Sequence, residues 1–225
     1  MNIYHHYVIL VLLLSTHTFA QSFDIETNAV YLSGNTNKAL ILAHGRGKHS
    51  TWKVVNPIRK ATNNRLNWHT LSLQMPVTNS NDFQSYAIEF DNAYDRIRQA
   101  IIFVKSKGVK NIVLFGHSMG SRMMSAFIRE NPDLVDGLIM AGCRNYGNYP
   151  MNCHDHAINL TNIKILDLYG GDDSKDINSA KQRAHLISAN YSQLSISNAN
   201  HQYDGNNKGL KDAVINWLSD NFKKK

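Results

Sequence analysis

A serine set between two glycines, a run of aspartates and a late histidine carry the chemistry this sequence has to offer. Ser118 stands in "LFGHSMGS", with Gly116 and Gly120 two positions to either side. A serine hydroxyl is nearly inert at neutral pH until a base takes its proton and a third group orients that base. Downstream, "YGGDDSKD" supplies Asp172, Asp173 and Asp176, and "NANHQYDG" supplies His201. The chain order serine, aspartate, histidine is the one that accompanies a G-x-S-x-G turn in nucleophilic acyl transfer. Upstream, "LAHGRGKHS" places Gly45 and Gly47 around Arg46. A flexible loop of that composition can aim the Arg46 N–H at the point where a tetrahedral oxyanion forms. The N–H of Met119, next after the serine, is the second expected donor.

Each assignment competes with a plainer one. Aspartates at a strand end are also good helix caps. Asp173, three residues past Gly170, is the expected acid, with Asp172 the alternative. Of the eleven histidines, His201 alone falls in the last strand-to-helix loop. His69 at a strand start and His185 in a helical pattern suit packing better, and His117 must diverge from its neighbour Ser118 at so sharp a turn. Trp52, Gln74 and Met75 follow strand ends, where pocket lining and ordinary packing explain them equally well. For Arg46 the backbone is the working part, and its side chain is expected in solvent.

Groups so far apart in sequence meet only if the fold collects them at one edge. Seven short apolar runs read as strands: Ala29–Ser33, Ala39–His44, His69–Leu73, Asn111–Gly116, Asp136–Gly142, Ile163–Gly170 and Ser192–Ser197. Several are apolar at consecutive positions, as parallel strands covered on both faces are. Helical patterns run from a cap at Asn81 or Asp82 to Gly108, over Met119–Glu130, Ile177–Ser188 and Leu210–Phe222. Strands alternating with helices predict an α/β fold, a mostly parallel doubly wound sheet with helices on both faces. In such sheets functional groups gather beyond the carboxyl ends of the strands. An apolar strand leads straight into Ser118 and a helix starts at once, so the serine sits on a sharp strand-to-helix turn.

At this point the chain resembles the α/β-hydrolase superfamily. "AHGRG", "GHSMG", "GGDD" and "NANHQYDG" occur in that family's order, and the resemblance covers nearly everything after residue 20. "LSLQMP" (Leu71–Pro76) with the elbow is also similar to a poorly characterised bacterial α/β-hydrolase-like group of unknown function. The resemblance implies an exported serine hydrolase of carboxylesterase type with no metal or organic cofactor. Acyl transfer or thioester cleavage would use the same residues. A non-catalytic envelope binding protein retaining the fold is a reading of another class, against which the intact set of groups argues. Many members carry a large lid between the fifth and sixth strands. Only about twenty residues intervene here, so no large lid domain fits and the site is expected to be open.

Composition narrows the setting. The chain has 225 residues, 43% of them hydrophobic and 18% charged, as in an ordinary globular protein. No stretch reaches the roughly 18 to 20 apolar residues that cross a bilayer. "YVILVLLL" followed by "STHTFA" reads as a signal peptide over residues 1–20 cleaved after Ala20, which leaves 21–225 as one domain in a secreted or periplasmic protein. In an oxidising compartment Cys143 and Cys153, ten positions apart, are expected to close a disulfide loop worth roughly 2 to 3 kcal/mol. "CHDH", with His154 and His156, is too slight to make a metal site. The formal charge is +7. Its basic residues are scattered without interleaved aromatics, so nucleic acid is not the expected partner. A small-molecule or lipid-like ester is.

Overall fold

Period-two alternation of apolar side chains along the strands builds this molecule on both sides of one sheet. The computed structural model describes residues 24–80, 82–160 and 162–223. The signal-peptide reading of 1–20 and the cap candidate Asn81 lie outside them. Among the described residues there are seven strands: β1 (Ala29–Leu32), β2 (Lys38–Ala43), β3 (His69–Leu73), β4 (Asn111–His117), β5 (Gly137–Ala141), β6 (Lys164–Gly170) and β7 (Tyr191–Ile196). They lie in the order β1-β3-β2-β4-β5-β6-β7. All neighbours are parallel except β1, which runs antiparallel to β3 at the edge.

Successive residues point to opposite faces of a strand. Ile41, Leu114 and Met140 accordingly enter a core on one face, while Leu42, Phe115 and Ile139 enter a core on the other. The first face is covered by α3 (Phe90–Ser106), α4 (Met119–Glu130) and the short α5 (Cys153–Ala157). The second is covered by α2 (Val55–Leu66) and α7 (Asn207–Asn221). α6 (Ser174–Arg183) follows β6, and the short α1 (Ile25–Asn28) precedes β1. This is the α/β architecture expected from the alternation, and no large lid is inserted.

Three local differences from the sequence reading have physical causes. The α2 helix has no counterpart in that reading because Pro57 and the polar run after it mask its apolar face. Proline is tolerated in a first helical turn, and Val55 and Ile58 of α2 pack on the sheet. The long helix before Gly108 opens as a 3-10 turn, Gln84–Glu89, with the Asp82 carboxylate accepting the Gln84 N–H at 3.0 Å. The helix after β6 begins at Ser174 rather than Ile177. That shift of one turn decides which aspartate faces the site. Among the described residues no helix is long and apolar enough to cross a membrane.

Candidate active site

The strand order fixes where a site can form. From β2 the chain crosses to β3 on one side, then returns to β4 on the other. Loops leaving β2 and β4 therefore separate and open a crevice at their carboxyl ends. The loop after β2 carries Gly45, Arg46 and Gly47; the turn after β4 carries Ser118.

Ser118 has φ 54° and ψ −111°, a conformation that L-residues rarely adopt. Tight packing enforces it. A Cβ on Gly116 would lie 2.4 Å from the Ser121 nitrogen, and one on Gly120 would lie 2.5 Å from the Ala43 carbonyl oxygen. Neither position tolerates a side chain, so the spacing of the two glycines follows from the turn. The Ser118 N–H donates to the Ala141 carbonyl at 2.8 Å, and the Ser121 hydroxyl ties Gly116 to the end of β5.

The Ser118 Oγ lies 2.9 Å from His201 Nε2. The loop holding His201 is closed by the Asn200 side chain, which accepts the N–H groups of Gln202 and Asp204. It is anchored by buried Tyr203, whose hydroxyl donates to the Leu168 carbonyl. The buried His117 ring bonds the His201 carbonyl through Nε2 at 2.9 Å, which makes it a brace for the loop and not a partner of Ser118.

The other ring nitrogen of His201 meets Asp176, not Asp173. Nδ1 is 2.8 and 3.0 Å from the two Asp176 carboxylate oxygens. Because α6 starts at Ser174, Asp173 is its N-cap, and its carboxylate accepts the Asp176 N–H at 2.9 Å. Asp173 also accepts from Arg144 Nη2 at 2.9 Å, while Arg144 Nε donates to Asp176 at 2.7 Å. The expected acid thus positions the residue one turn further on. Asp172 is exposed. Burial pushes the Asp176 carboxyl up, but the hydrogen bonds and charges of His201 and Arg144 outweigh it and hold the group below its usual value. The capping alternative weighed from the sequence is the role Asp173 takes: a carboxylate that caps a helix is occupied by N–H groups.

Cys143 and Cys153 form the expected disulfide, with Cα atoms 5.8 Å apart. The loop it closes delivers Arg144, a residue no motif announced. His156, the second histidine of "CHDH", is buried and bonds Ser125 Oγ through Nδ1 at 2.7 Å.

The loop after β2 packs against Ser118. A Cβ on Gly45 would stand 3.3 Å from the Ser118 Cβ. Its shape is held by His44, whose Nδ1 donates to the Gly45 carbonyl at 2.8 Å and whose Nε2 accepts the Met75 N–H at 3.0 Å. Gln74 donates its side-chain amide to the Lys48 carbonyl, and Tyr86 accepts the Gly47 N–H. Gln74 is thus a brace, Met75 is core, and Trp52 donates to the Gln202 side chain at 3.3 Å. Met119 opens α4, where a backbone N–H has no intrahelical acceptor. Arg46 and Met119 both line the cleft of about 290 Å³ that contains Ser118 and His201.

Burial pulls His44 and His117 down to about 4 and His156 to about 3. An unfolded histidine binds its proton near pH 6.5. Between those values the unfolded chain holds more protons, so stability is present above pH 6.5 and is lost as the pH falls toward 4. We expect the melting temperature to drop steeply across that window, reflecting on the order of several kcal/mol. A flat profile from pH 7 to 4.5 would show that these rings are not buried in neutral form.

Residues 84–220 match the family described as "Protein of unknown function (DUF3530)". No curated protein matches the chain in sequence. Solved structures do match in fold. Est1E from Butyrivibrio proteoclasticus, with ferulic acid bound, is 17% identical, with a TM-score of 0.65 over 88% of this chain and 96% of that one. Dienelactone hydrolase from Anabaena variabilis is 16% identical, with a TM-score of 0.68 over 85% and 90%. An α/β serine hydrolase without a lid from Xanthomonas campestris is 13% identical, with a TM-score of 0.64 over 86% and 85%. The fold is that of the α/β-hydrolases.

Proposed function

The chain belongs to the DUF3530 family, whose description states no activity, and from that premise we propose that it is a serine hydrolase cleaving an ester through an acyl-enzyme. The observation that carries the reading is the continuous relay Ser118 Oγ, His201 Nε2, His201 Nδ1, Asp176, each step at 2.8 to 3.0 Å. Ser118 attacks the ester carbonyl as His201 Nε2 takes its proton. Asp176 keeps the proton on Nδ1, so that Nε2 is free to accept, and stabilises the imidazolium that forms. The N–H groups of Arg46 and Met119 receive the oxyanion; one such donor is worth about 3 to 4 kcal/mol. His201 then protonates the departing alcohol. In the second half, water gives a proton to His201 and attacks the acyl-enzyme, releasing the acid and restoring Ser118.

In this proposal the reaction runs outside the cytoplasm. The apolar leader of residues 7–14 and the Cys143–Cys153 disulfide both support that setting. The shortness of the segment between β5 and β6 supports an open site for small esters over one capped by a lid.

The test is turnover of short p-nitrophenyl esters by the protein from Gln21 onward. The wild type hydrolyses them, and Ser118→Ala falls by about a million-fold, to the residual level left by binding and the oxyanion hole. A wild type no faster than buffer on every acyl length would end the hydrolase reading.

A further inference from the structure

The cleft beside Ser118 has a charge pattern that acyl transfer does not require. Arg46, Lys48, Arg122 and Arg144 line it, and none of its lining residues is a carboxylate. The charge of Arg144 is matched by Asp173 and Asp176.

Arg122 differs. It lies one turn along α4 from the nucleophile, its N–H bonded to the Ser118 carbonyl, and its side chain is 2% exposed. The guanidinium sits over the rings of Phe83 and Tyr146, 4.8 and 4.7 Å from their centroids. Its Nη1 donates to the carbonyls of Tyr146 and Met151, both uncharged acceptors. Among the described residues it has no ion pair with a carboxylate. Burial pulls its pKa down to about 10; Tyr146 opposes that shift, and the nearby cations Arg144 and Arg183 add to it. Proteins rarely bury a charge without pairing it. Aromatic faces and carbonyls hold the Arg122 plane in place but supply no counter-ion. Lys48, on the loop after β2, carries its ammonium 4.3 Å from the Trp52 ring centroid and likewise has no ion pair among the described residues. The two elements that build the oxyanion hole thus each contribute a cation to the same small cleft.

We infer that the substrate carries an anionic oxygen group, a carboxylate or a phosphate, and that Arg122 and Lys48 receive it beside the scissile carbonyl. The inference rests on the hydrolase reading for the ester itself, but the anion site stands on its own residues. The attraction is ionic, so recognition should weaken as ionic strength rises.

Binding separates the two claims. Monomethyl succinate, propyl phosphate and the neutral methyl butyrate are titrated into Ser118→Ala, followed by protein-detected NMR. At least one anion should bind about ten-fold or more tighter than methyl butyrate, with that margin shrinking as salt rises from about 20 to about 500 mM. Whichever anion leads identifies the group. Lys48→Gln and Arg122→Gln should each reduce the margin by about five-fold or more. Because Arg122 is buried, Lys48→Gln keeps the test decisive if Arg122→Gln misfolds. Equal binding of all three ligands, or anion binding untouched in Lys48→Gln, overturns the inference. In parallel, mono-p-nitrophenyl succinate and p-nitrophenyl butyrate are compared with the wild type, and kcat/KM should favour the succinate by about ten-fold. Anion binding without turnover of any ester would keep the anion site and remove the hydrolase reading. Turnover without anion preference would do the reverse.

Discussion

Replacing Asp176 by asparagine should lower kcat by about a thousand- to ten-thousand-fold while leaving KM within a few-fold. The carboxylate accepts the Nδ1 proton of His201 at 2.8 Å, and that bond sets the tautomer. An asparagine amide can present its NH2 to Nδ1 instead, which moves the ring proton to Nε2. Nε2 then faces Ser118 as a donor and cannot take the hydroxyl proton. Asp173→Asn is the matched control. Asparagine caps helices as well as aspartate does, so the bond from the Asp176 N–H survives. What is lost is one carboxylate facing Arg144, which keeps its partner Asp176. The Asp173 variant should therefore lose less than about ten-fold. Both are read as kcat and KM on one ester, with thermal melting to verify folding. A loss in Asp173→Asn equal to or above that in Asp176→Asn would return the acid role to Asp173.

Gly120→Ala should destabilise the protein by about 3 kcal/mol or more. The added methyl meets backbone and not a yielding side chain: the carbonyl oxygens of Ala43 and His44 would lie 2.5 and 2.6 Å away. Relief requires the start of α4 to move off the end of β2. That motion carries the Met119 N–H away from the Arg46 loop, so activity should fall together with stability. For a chain of this size the loss corresponds to a melting temperature lower by about 6 to 12 °C. A variant that melts with the wild type and keeps its turnover would show that the elbow is not packed as described.

Much of this arrangement was legible in the chain. The central strands β2, β4, β5 and β6 were legible because parallel strands buried on both faces leave a continuous apolar signature. Ser118 and His201 were legible because each follows a strand at a position that few other residues of its type share. The strand and helix around Ser118 also explain Gly116 and Gly120. Asp176 was harder, since three carboxylates lie within five residues and a shift of one helical turn changes which one faces inward. Arg144 and Arg122 were not legible from pattern. Arg144 reaches Asp173 and Asp176 only through the disulfide loop, and Arg122 looks like any helical arginine until Phe83 and Tyr146 close over it. Long-range packing, which no local spacing encodes, decides such residues.

If Ser118 is a nucleophile activated by His201, a fluorophosphonate must label it. Peptide mass spectrometry of the treated protein should locate one adduct, on Ser118, absent in Ser118→Ala and strongly slowed in His201→Ala. An unlabelled wild type, or a label that persists in Ser118→Ala, would contradict it.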